Sequence, residues 1–358
     1  MAVPFVRFDF CMTFFSLLCA LLLEQLHPLS PGNQAWRIQQ RLADWALDNL
    51  GTGKPAHGWI AWTVTVATPA LAAFLIYRAL MVAGWPLALV WNVLMVYLSV
   101  GYRQFSDPIA AIRVALEQGD EIRARQLLNQ WKDKESFSLS RHALAHRVLK
   151  HTVLDVHRRL FGVVAAFVLF SMLGLGPAGA VLYRCADFAA GCWQQRREQA
   201  GLAASSRALQ TAQQAWQWIN WLPVRMTAAS FAIVGNFEQA VDNWRQTDNM
   251  QTNDKQEFDP DETMLLAVAA GAIGISGDSG AWGPSKPSAP QSGPTQIPST
   301  MQDPTQSDDA GLEYGARLPA PVKGSEMPPL HLLGRLIWRG LLLWGMLIAL
   351  VTVTHWIS

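Results

Sequence analysis

The sequence predicts an all-α fold, a polytopic integral membrane helical bundle with a helical polar domain and a disordered linker. Two observations lead to this prediction. Of the 358 residues, 51% are hydrophobic and only 15% are charged, whereas soluble domains average about 25% charged residues. Several uncharged runs are also long enough to cross a hydrocarbon core of about 30 Å. The 16 tryptophans agree with a membrane location, because this residue favours membrane–water interfaces.

Residues 1–101 are predicted to form the N-terminal membrane helices. Phe10 to Leu23 is almost uninterrupted apolar sequence without a clear cleavage site, which indicates an uncleaved anchor or a first membrane helix. Trp59 to Tyr77 carries no charge, and Pro86 to Val100 forms a second uncharged run together with Ala79 to Gly84. The prolines within these runs are tolerated in a bundle, where neighbouring helices compensate for the lost hydrogen bond.

Residues 102–160 are predicted to form a basic helical hairpin domain. This segment holds eleven Lys or Arg and seven Asp or Glu residues. Pro108 is placed to begin a helix, Gly119 to end it and Asp120 to cap the next helix. Because cationic loops are retained inside the cell, the domain is expected to face the cytoplasm.

Residues 161–275 are predicted to form further membrane helices with a Pro-x-Arg motif. Phe161 to Tyr183 is an uncharged run that is expected to form a further span. It contains small residues that allow close helix approach, namely Gly174, Gly176 and Gly179. Trp218 to Gly235 is apolar apart from one arginine. Met264 to Ile275 is too short to span, so a re-entrant or packed helix is expected there.

The last two segments differ sharply in composition. Residues 276–329 are rich in Gly, Pro, Ser and Gln and cannot bury enough apolar surface to offset the entropy of ordering. This stretch is therefore expected to be a disordered linker. Residues 330–358 contain the apolar run Gly340 to Ile357, which predicts a C-terminal transmembrane helix.

Five stretches, in order, carry a resemblance to a known family. They are LLCALLLEQLHPL (17–29), ALEQGDEIRARQL (115–127), GLGPAGAVLYR (174–184), NWLPVRMT (220–227) and AVAAGAIGI (267–275). On these motifs the chain resembles the CobD/CbiB superfamily of membrane proteins, which also includes AmpE-like members. The resemblance extends over most of the chain outside the linker.

The resemblance implies a role late in cobalamin biosynthesis. CobD/CbiB proteins attach an aminopropanol arm, or its phosphate, to adenosylcobyric acid in an ATP-dependent amide-forming step. If this chain is such an enzyme, the implied cofactors are Mg²⁺ and ATP, and the implied ligand is a corrinoid or another anionic small molecule. Carboxylates would then hold the metal and the phosphates.

Several positions depart from the acidic pattern of the family. Where the family shows Glu-Asn-x-x-Asp-Gly, this chain has His157, Arg158 and Phe161. The later acidic positions hold Ala190, Trp216 and Gln217. A metal–phosphate site built from those carboxylates could not form unchanged.

The polar residues retained at the corresponding positions are Asp187, which stands where the family has Asn, together with Asn220 and Arg225, and these three become the ligand-binding candidates. Arg225 lies in an apolar run, where insertion of an arginine costs about 2.5–3.5 kcal/mol. It therefore needs a polar partner, such as Asn220 or Asp187, or a watery cavity. Two interpretations remain open: an anion or ligand site, and a helix on the membrane surface or in the bundle whose arginine extends to the headgroups.

Two pairs of side chains have helical spacing that could hold a metal. They are His142 with His146 and His151 with Asp155. Neither pair has a surrounding Glu–His signature, so no metal site is assigned and a basic helix that is solvated or faces lipid headgroups is expected. The net charge of +1 gives no field that would attract nucleic acid.

Two functions from different classes follow. One is an ATP-dependent amide-forming ligase of cobalamin biosynthesis. The other is an AmpE-like, non-catalytic membrane regulator or sensor linked to β-lactamase induction, which the missing carboxylates favour. Both place the chain in the bacterial inner membrane as a multi-pass protein, in contact with the lipid bilayer and open to a membrane protein partner.

Overall fold

The structure is a computed structural model that describes residues 3–27, 34–50, 55–101, 108–112, 114–115, 118–131, 141–199, 207–251, 259–274 and 330–357. The regular structure within these ranges is helical, which confirms the all-α prediction. The labelled helices are α1 (Val3–Leu26), α2 (Gln34–Leu50), α3 (Pro55–Ala83), α4 (Trp85–Val100), α5 (Glu121–Trp131), α6 (Arg141–Val156), α7 (Gly162–Met172), α8 (Ala178–Gln199), α9 (Arg207–Val234), α10 (Phe237–Gln251), α11 (Pro260–Ala272) and α12 (Leu330–Ile357).

Helix α7 forms the centre of the bundle. Its first six residues are buried, and it packs against α1, α4, α8 and α9. Helix α12 lies on α1 and α9, where the indole Nε1 of Trp344 donates a hydrogen bond to Ser230 Oγ at 2.7 Å. The apolar sequence in the first half of α7 therefore reflects burial by protein.

The uncharged run Phe161 to Tyr183 forms two packed helices, and the expectation of one continuous span was wrong. Helix α7 ends at Met172, and α8 begins at Ala178. Gly174 and Gly176 between them adopt positive φ angles of 74° and 58°, which other residues rarely adopt. Gly162 and Gly179 allow the close approach within this pair, since a Cβ at Gly162 would overlap the Tyr183 ring of α8 and one at Gly179 would meet Phe170 of α7 at 2.6 Å.

Helix α3 contains a proline whose missing N–H is compensated from a neighbouring helix. Pro69 cannot donate to the carbonyl four residues earlier, which is that of Thr65. The side-chain amide of Gln39 on α2 donates to this carbonyl at 2.9 Å. Tertiary packing thus satisfies the group that the proline leaves free, as expected for a bundle.

Two helices within the described ranges, His57–Ala83 and Leu332–Thr354, are long and apolar enough to cross a membrane. The apolar parts of α1 and α4 are shorter. All four helices also expose large apolar side chains to the outside of the bundle, among them Leu22, Leu75, Leu87 and Met346.

The polar segment forms a small core of its own around α5 and α6. Ile112, Leu128 and Leu144 are completely buried there. Gly119 ends the first helical stretch with a φ of 79°. The Asp120 carboxylate then accepts from the N–H of Arg123 at 3.0 Å, which confirms the predicted cap.

Helix α6 is more buried than the sequence suggested. Val148, Leu149 and Val153 are completely buried, because the helix packs against α11 and α12. The expectation of a solvated basic helix therefore does not hold at these positions. The predicted linker 276–329 lies outside the described residues.

Candidate functional site

The site is organised around a π-helical turn, His157–Phe161, between α6 and α7. Such turns insert an extra residue into a helix and are frequent at functional sites. This turn faces α8 and α9. It places two consecutive polar residues, His157 and Arg158, where the turn meets α8 and α9.

His157 is almost completely buried and bonds to two side chains of α9. Its Nδ1 lies 2.9 Å from Thr227 Oγ1, and its Nε2 lies 2.8 Å from Asn220 Oδ1. Tyr183 OH donates to the same Asn220 oxygen at 2.8 Å. The neutral Nε2–H tautomer fits the contact with Asn220, because Asn220 Oδ1 then accepts from both His157 and Tyr183. The Thr227 hydroxyl has a single proton and lies 2.9 Å from both His157 Nδ1 and the Pro223 carbonyl.

Arg158 bridges two acidic residues on different helices. One guanidinium nitrogen donates to Asp187 on α8 at 3.4 Å, and the other donates to Glu262 on α11. The group also lies over the Trp216 ring, 5.4 Å from its centroid. Asp187 accepts a second, shorter bond of 2.7 Å from Arg184. The result is a chain of alternating charges from α11 through the π turn to α8.

Arg225 forms a second ion pair beside the first. Its Nη1 donates to Asp261 Oδ1 and to the Trp221 carbonyl, both at 3.0 Å, and the guanidinium lies 4.5 Å from the Trp221 ring centroid. Asp259 caps α11 by accepting from the N–H of Asp261 at 3.1 Å. The acidic start of α11 therefore joins both ion pairs.

Burial shifts the pKa of two side chains: His157, which precedes α7, and Asp259, which precedes α11. It lowers the pKa of the His157 imidazole to about 4, although the bond to Asn220 opposes this effect. Burial raises the pKa of the Asp259 carboxyl to about 6, and the negative charge of Glu262 adds to this effect. At neutral pH the site therefore contains a neutral imidazole and, at its edge, a carboxyl that takes up a proton under mildly acidic conditions.

The three candidate residues from the sequence lie in one region but bind different partners. Asn220 bonds to His157 and Tyr183, while Asp187 pairs with Arg158 and Arg184. The partner of Arg225 is Asp261, so the expectation of Asn220 or Asp187 as its partner was wrong.

Sequence reasoning missed the acidic residues at the start of α11. Asp259, Asp261 and Glu262 belong to the segment Asp-Pro-Asp-Glu, which combines an N-cap, a proline in the first turn and first-turn acids. This pattern is a helix-start signal. This signal, directly before the short Ala/Gly helix, could have identified the acidic residues from the sequence.

The arrangement of the carboxylates does not fit a divalent metal ion. Asp187, Asp261 and Glu262 each accept hydrogen bonds from a guanidinium group. Within the described ranges, no group of three or more His, Cys, Asp or Glu side chains is placed to hold a metal. The guanidinium group of Arg158 lies between Asp187 and Glu262, where a bridging cation would lie.

Comparison with known proteins relates this site to a family. A family model described as CobD/Cbib protein matches residues 17–279, which include all the side chains of the site described above. No solved structure matches the chain significantly.

Two curated proteins, both called "Cobalamin biosynthesis protein CobD", are similar to the chain. The one from Chromobacterium violaceum is 27% identical over 221 residues, which are 59% of this chain and 65% of the relative. The one from Stutzerimonas stutzeri is 27% identical over 274 residues, which are 73% of this chain and 81% of the relative. The chain thus spans slightly less than two thirds of the first relative's length and about four fifths of the second.

Proposed function

Because the chain belongs to the CobD/Cbib family, we propose that it acts in cobalamin biosynthesis, at the attachment of the aminopropanol arm or its phosphate to adenosylcobyric acid. The observation that carries this proposal is the family match over residues 17–279. That match extends from α1 to α11 and covers both ion-pair networks. Both relatives described above are named for cobalamin biosynthesis.

The arginine residues are the groups best suited to bind an anionic substrate. The Arg158–Asp187 distance of 3.4 Å is long for a charge-assisted hydrogen bond, which typically measures about 2.7–2.9 Å. Arg158 can therefore exchange this contact for a phosphate or carboxylate oxygen while it keeps its bond to Glu262. The planar guanidinium also remains charged at any physiological pH.

The indole of Trp216 offers a further donor at the same place. Its ring contacts Tyr183, with centroids 5.1 Å apart, and lies beneath Arg158. The buried Nε1–H has no hydrogen-bond partner among the described residues. Because a buried donor without a partner costs free energy, a bound acceptor at this position would be stabilised.

We also propose that the chain is a multi-pass protein of the bacterial inner membrane. The two apolar helices His57–Ala83 and Leu332–Thr354 support this, together with the apolar side chains that α1, α3, α4 and α12 expose. Exposed large apolar side chains on several helices agree with contact with lipid or with a partner protein.

A second candidate function is a non-catalytic membrane regulator or sensor of the AmpE-like kind. The observation that favours it is that Asp187, Asp261 and Glu262 each form an ion pair with a guanidinium group. Carboxylates held in this way are not free to coordinate Mg²⁺ for ATP. In this alternative, the arginines bind an anionic signal molecule and no amide bond forms.

Genetic complementation separates the two candidates. A bacterial strain that lacks its aminopropanol-arm synthase, supplied with cobyric acid, should regain cobalamin-dependent growth when it carries this chain. Arg158→Ala should abolish the rescue, while Arg125→Ala, which changes an ion pair within α5, should not affect it. Lack of rescue by a wild-type chain present in the membrane at normal levels would reject the synthase role and favour the regulator.

A further inference from the structure

A separate cavity of about 350 Å³ lies between α2, α3, α4 and α8, and nothing above assigns it a role. This volume is at the lower end of the range for small-molecule sites. Most of its lining is apolar, including Pro69, Ile76, Met95, Leu98 and Val181. Such a lining favours a hydrocarbon chain over water.

The polar groups along most of this wall are already bonded within the protein. Gln39 donates to the Thr65 carbonyl at 2.9 Å, and the Trp91 indole donates to the Ala73 carbonyl at 3.0 Å. The Ser99 hydroxyl donates to the carbonyl of Met95, one turn earlier, at 2.7 Å. These donors therefore do not require a ligand.

Arg184 is the exception in the cavity wall. The residue is only 8% exposed, and its buried Nε–H has no hydrogen-bond partner among the described residues. Its Nη1 donates to Asp187, which also accepts from Arg158. The guanidinium lies 4.9 Å from the Trp36 ring centroid, so its plane is held in position. A buried cation that shares its counter-ion and keeps one free donor is suited to an anionic oxygen.

We propose that this cavity binds an anionic lipid, with one acyl chain against the apolar wall and the headgroup phosphate at Arg184. The inference rests on the proposed membrane location of the chain but not on its role in cobalamin biosynthesis. Ala72 and Ile76 line the cavity and are also exposed on the outer face of α3. A lipid chain can therefore enter from the side of the bundle that faces the bilayer.

Thermal denaturation of the detergent-purified full chain tests this proposal with three probes. Phosphatidylglycerol should raise the Tm in a concentration-dependent manner, because a ligand that binds only the folded state stabilises it. Phosphatidylcholine, which has the same chains but no net charge, should raise it much less. Inorganic phosphate alone should have no effect. An equal increase with phosphatidylcholine, or the full increase with phosphate alone, would overturn the proposal.

Matched variants test whether the increase in Tm arises from lipid bound in this cavity. Arg184→Gln should weaken the apparent affinity for phosphatidylglycerol about tenfold, since a charge-assisted hydrogen bond is lost. Ala72→Phe fills the cavity from an exposed position and should remove the increase in Tm without disturbing buried packing. Ala79→Phe, exposed on the same helix outside the cavity, should respond like the wild type. Wild-type stabilisation of the Ala72→Phe protein would overturn the proposal even if Arg184→Gln fails to fold.

Discussion

At His157, one buried imidazole joins the π-helical turn to helix α9 through Thr227 and Asn220. Burial lowers the pKa of this side chain to about 4, whereas histidine in an unfolded chain has a pKa of about 6.5. The unfolded state therefore takes up a proton in a pH range where the folded state does not. The contribution of His157 to stability is complete above pH 6.5 and decreases as the pH falls towards 4.

We therefore expect the His157→Gln protein to lose less stability than the wild type between pH 7 and pH 5. The difference should be about 2 kcal/mol, measured by thermal denaturation in detergent at both pH values. The pKa of Asp259 is raised to about 6, so this carboxyl makes the folded state more stable as the pH falls. Because both proteins contain Asp259, its contribution cancels in the comparison. The exposed His27→Gln is the control. Parallel pH profiles of wild type and His157→Gln would contradict the assignment.

Arg225 gives the second prediction at this scale. Its guanidinium bonds to Asp261 and to the Trp221 carbonyl while it stacks on the Trp221 ring. Lysine cannot reproduce this planar arrangement. We expect Arg225→Lys to keep the wild-type membrane level but to lower complementation, and Arg225→Ala to lower stability by about 1–3 kcal/mol because Asp261 loses its partner.

The exposed Arg245→Lys on α10 serves as the matched control and should behave like the wild type. Complementation by Arg225→Lys at the wild-type level would show that Arg225 has only a packing role. The ligand-site interpretation of this residue would then be rejected.

The sequence identified part of the site residue by residue. Asp187, Asn220 and Arg225 stand out as polar members of recognisable motifs, and all three lie at the site. Their partners were not predictable, because each ion pair joins residues that are distant in sequence. The contact from Arg158 to Glu262, for example, closes only after α11 packs against α6 and α9.

At the scale of helices, the pair α7 and α8 depends on close contacts at two glycines. A Cβ at Gly162 would overlap the ring and hydroxyl of Tyr183, and one at Gly179 would meet Phe170. The uncharged run Phe161 to Tyr183 suggested one span because a buried helical hairpin and a membrane span have the same composition. The turn signals were present at Gly174, Gly176 and Pro177.

Gly162→Ala should displace Tyr183 and break its bond to Asn220. We expect a loss of about 1–3 kcal/mol, which is typical for overpacking in a filled core, measured as a lower Tm in detergent. Gly191→Ala on α8 is the matched control, since a Cβ there meets no atom of the described residues within 4 Å. It should leave the stability unchanged or increase it by up to about 1 kcal/mol. Unfolding of Gly162→Ala at the wild-type temperature would contradict the packing described here.

At the scale of the whole molecule, the apolar side chains exposed on α1, α3, α4 and α12 support the proposed membrane location. We expect the chain to sediment with membranes and to resist extraction at alkaline pH. Immunodetection of the pellet and the supernatant provides the measurement. Recovery of the chain in the soluble fraction without detergent would contradict the membrane location.

Conversion of adenosylcobyric acid by the purified chain tests the central claim most directly. The chain, in detergent, is incubated with Mg²⁺, ATP and either aminopropanol or its phosphate, and the corrinoids are identified by mass spectrometry. Our account predicts a product that carries the new amide-linked arm, with Arg158→Ala producing little and Arg125→Ala as much as the wild type. Unchanged substrate from a folded chain, in an assay where an active aminopropanol-arm synthase forms product, would contradict the synthase role.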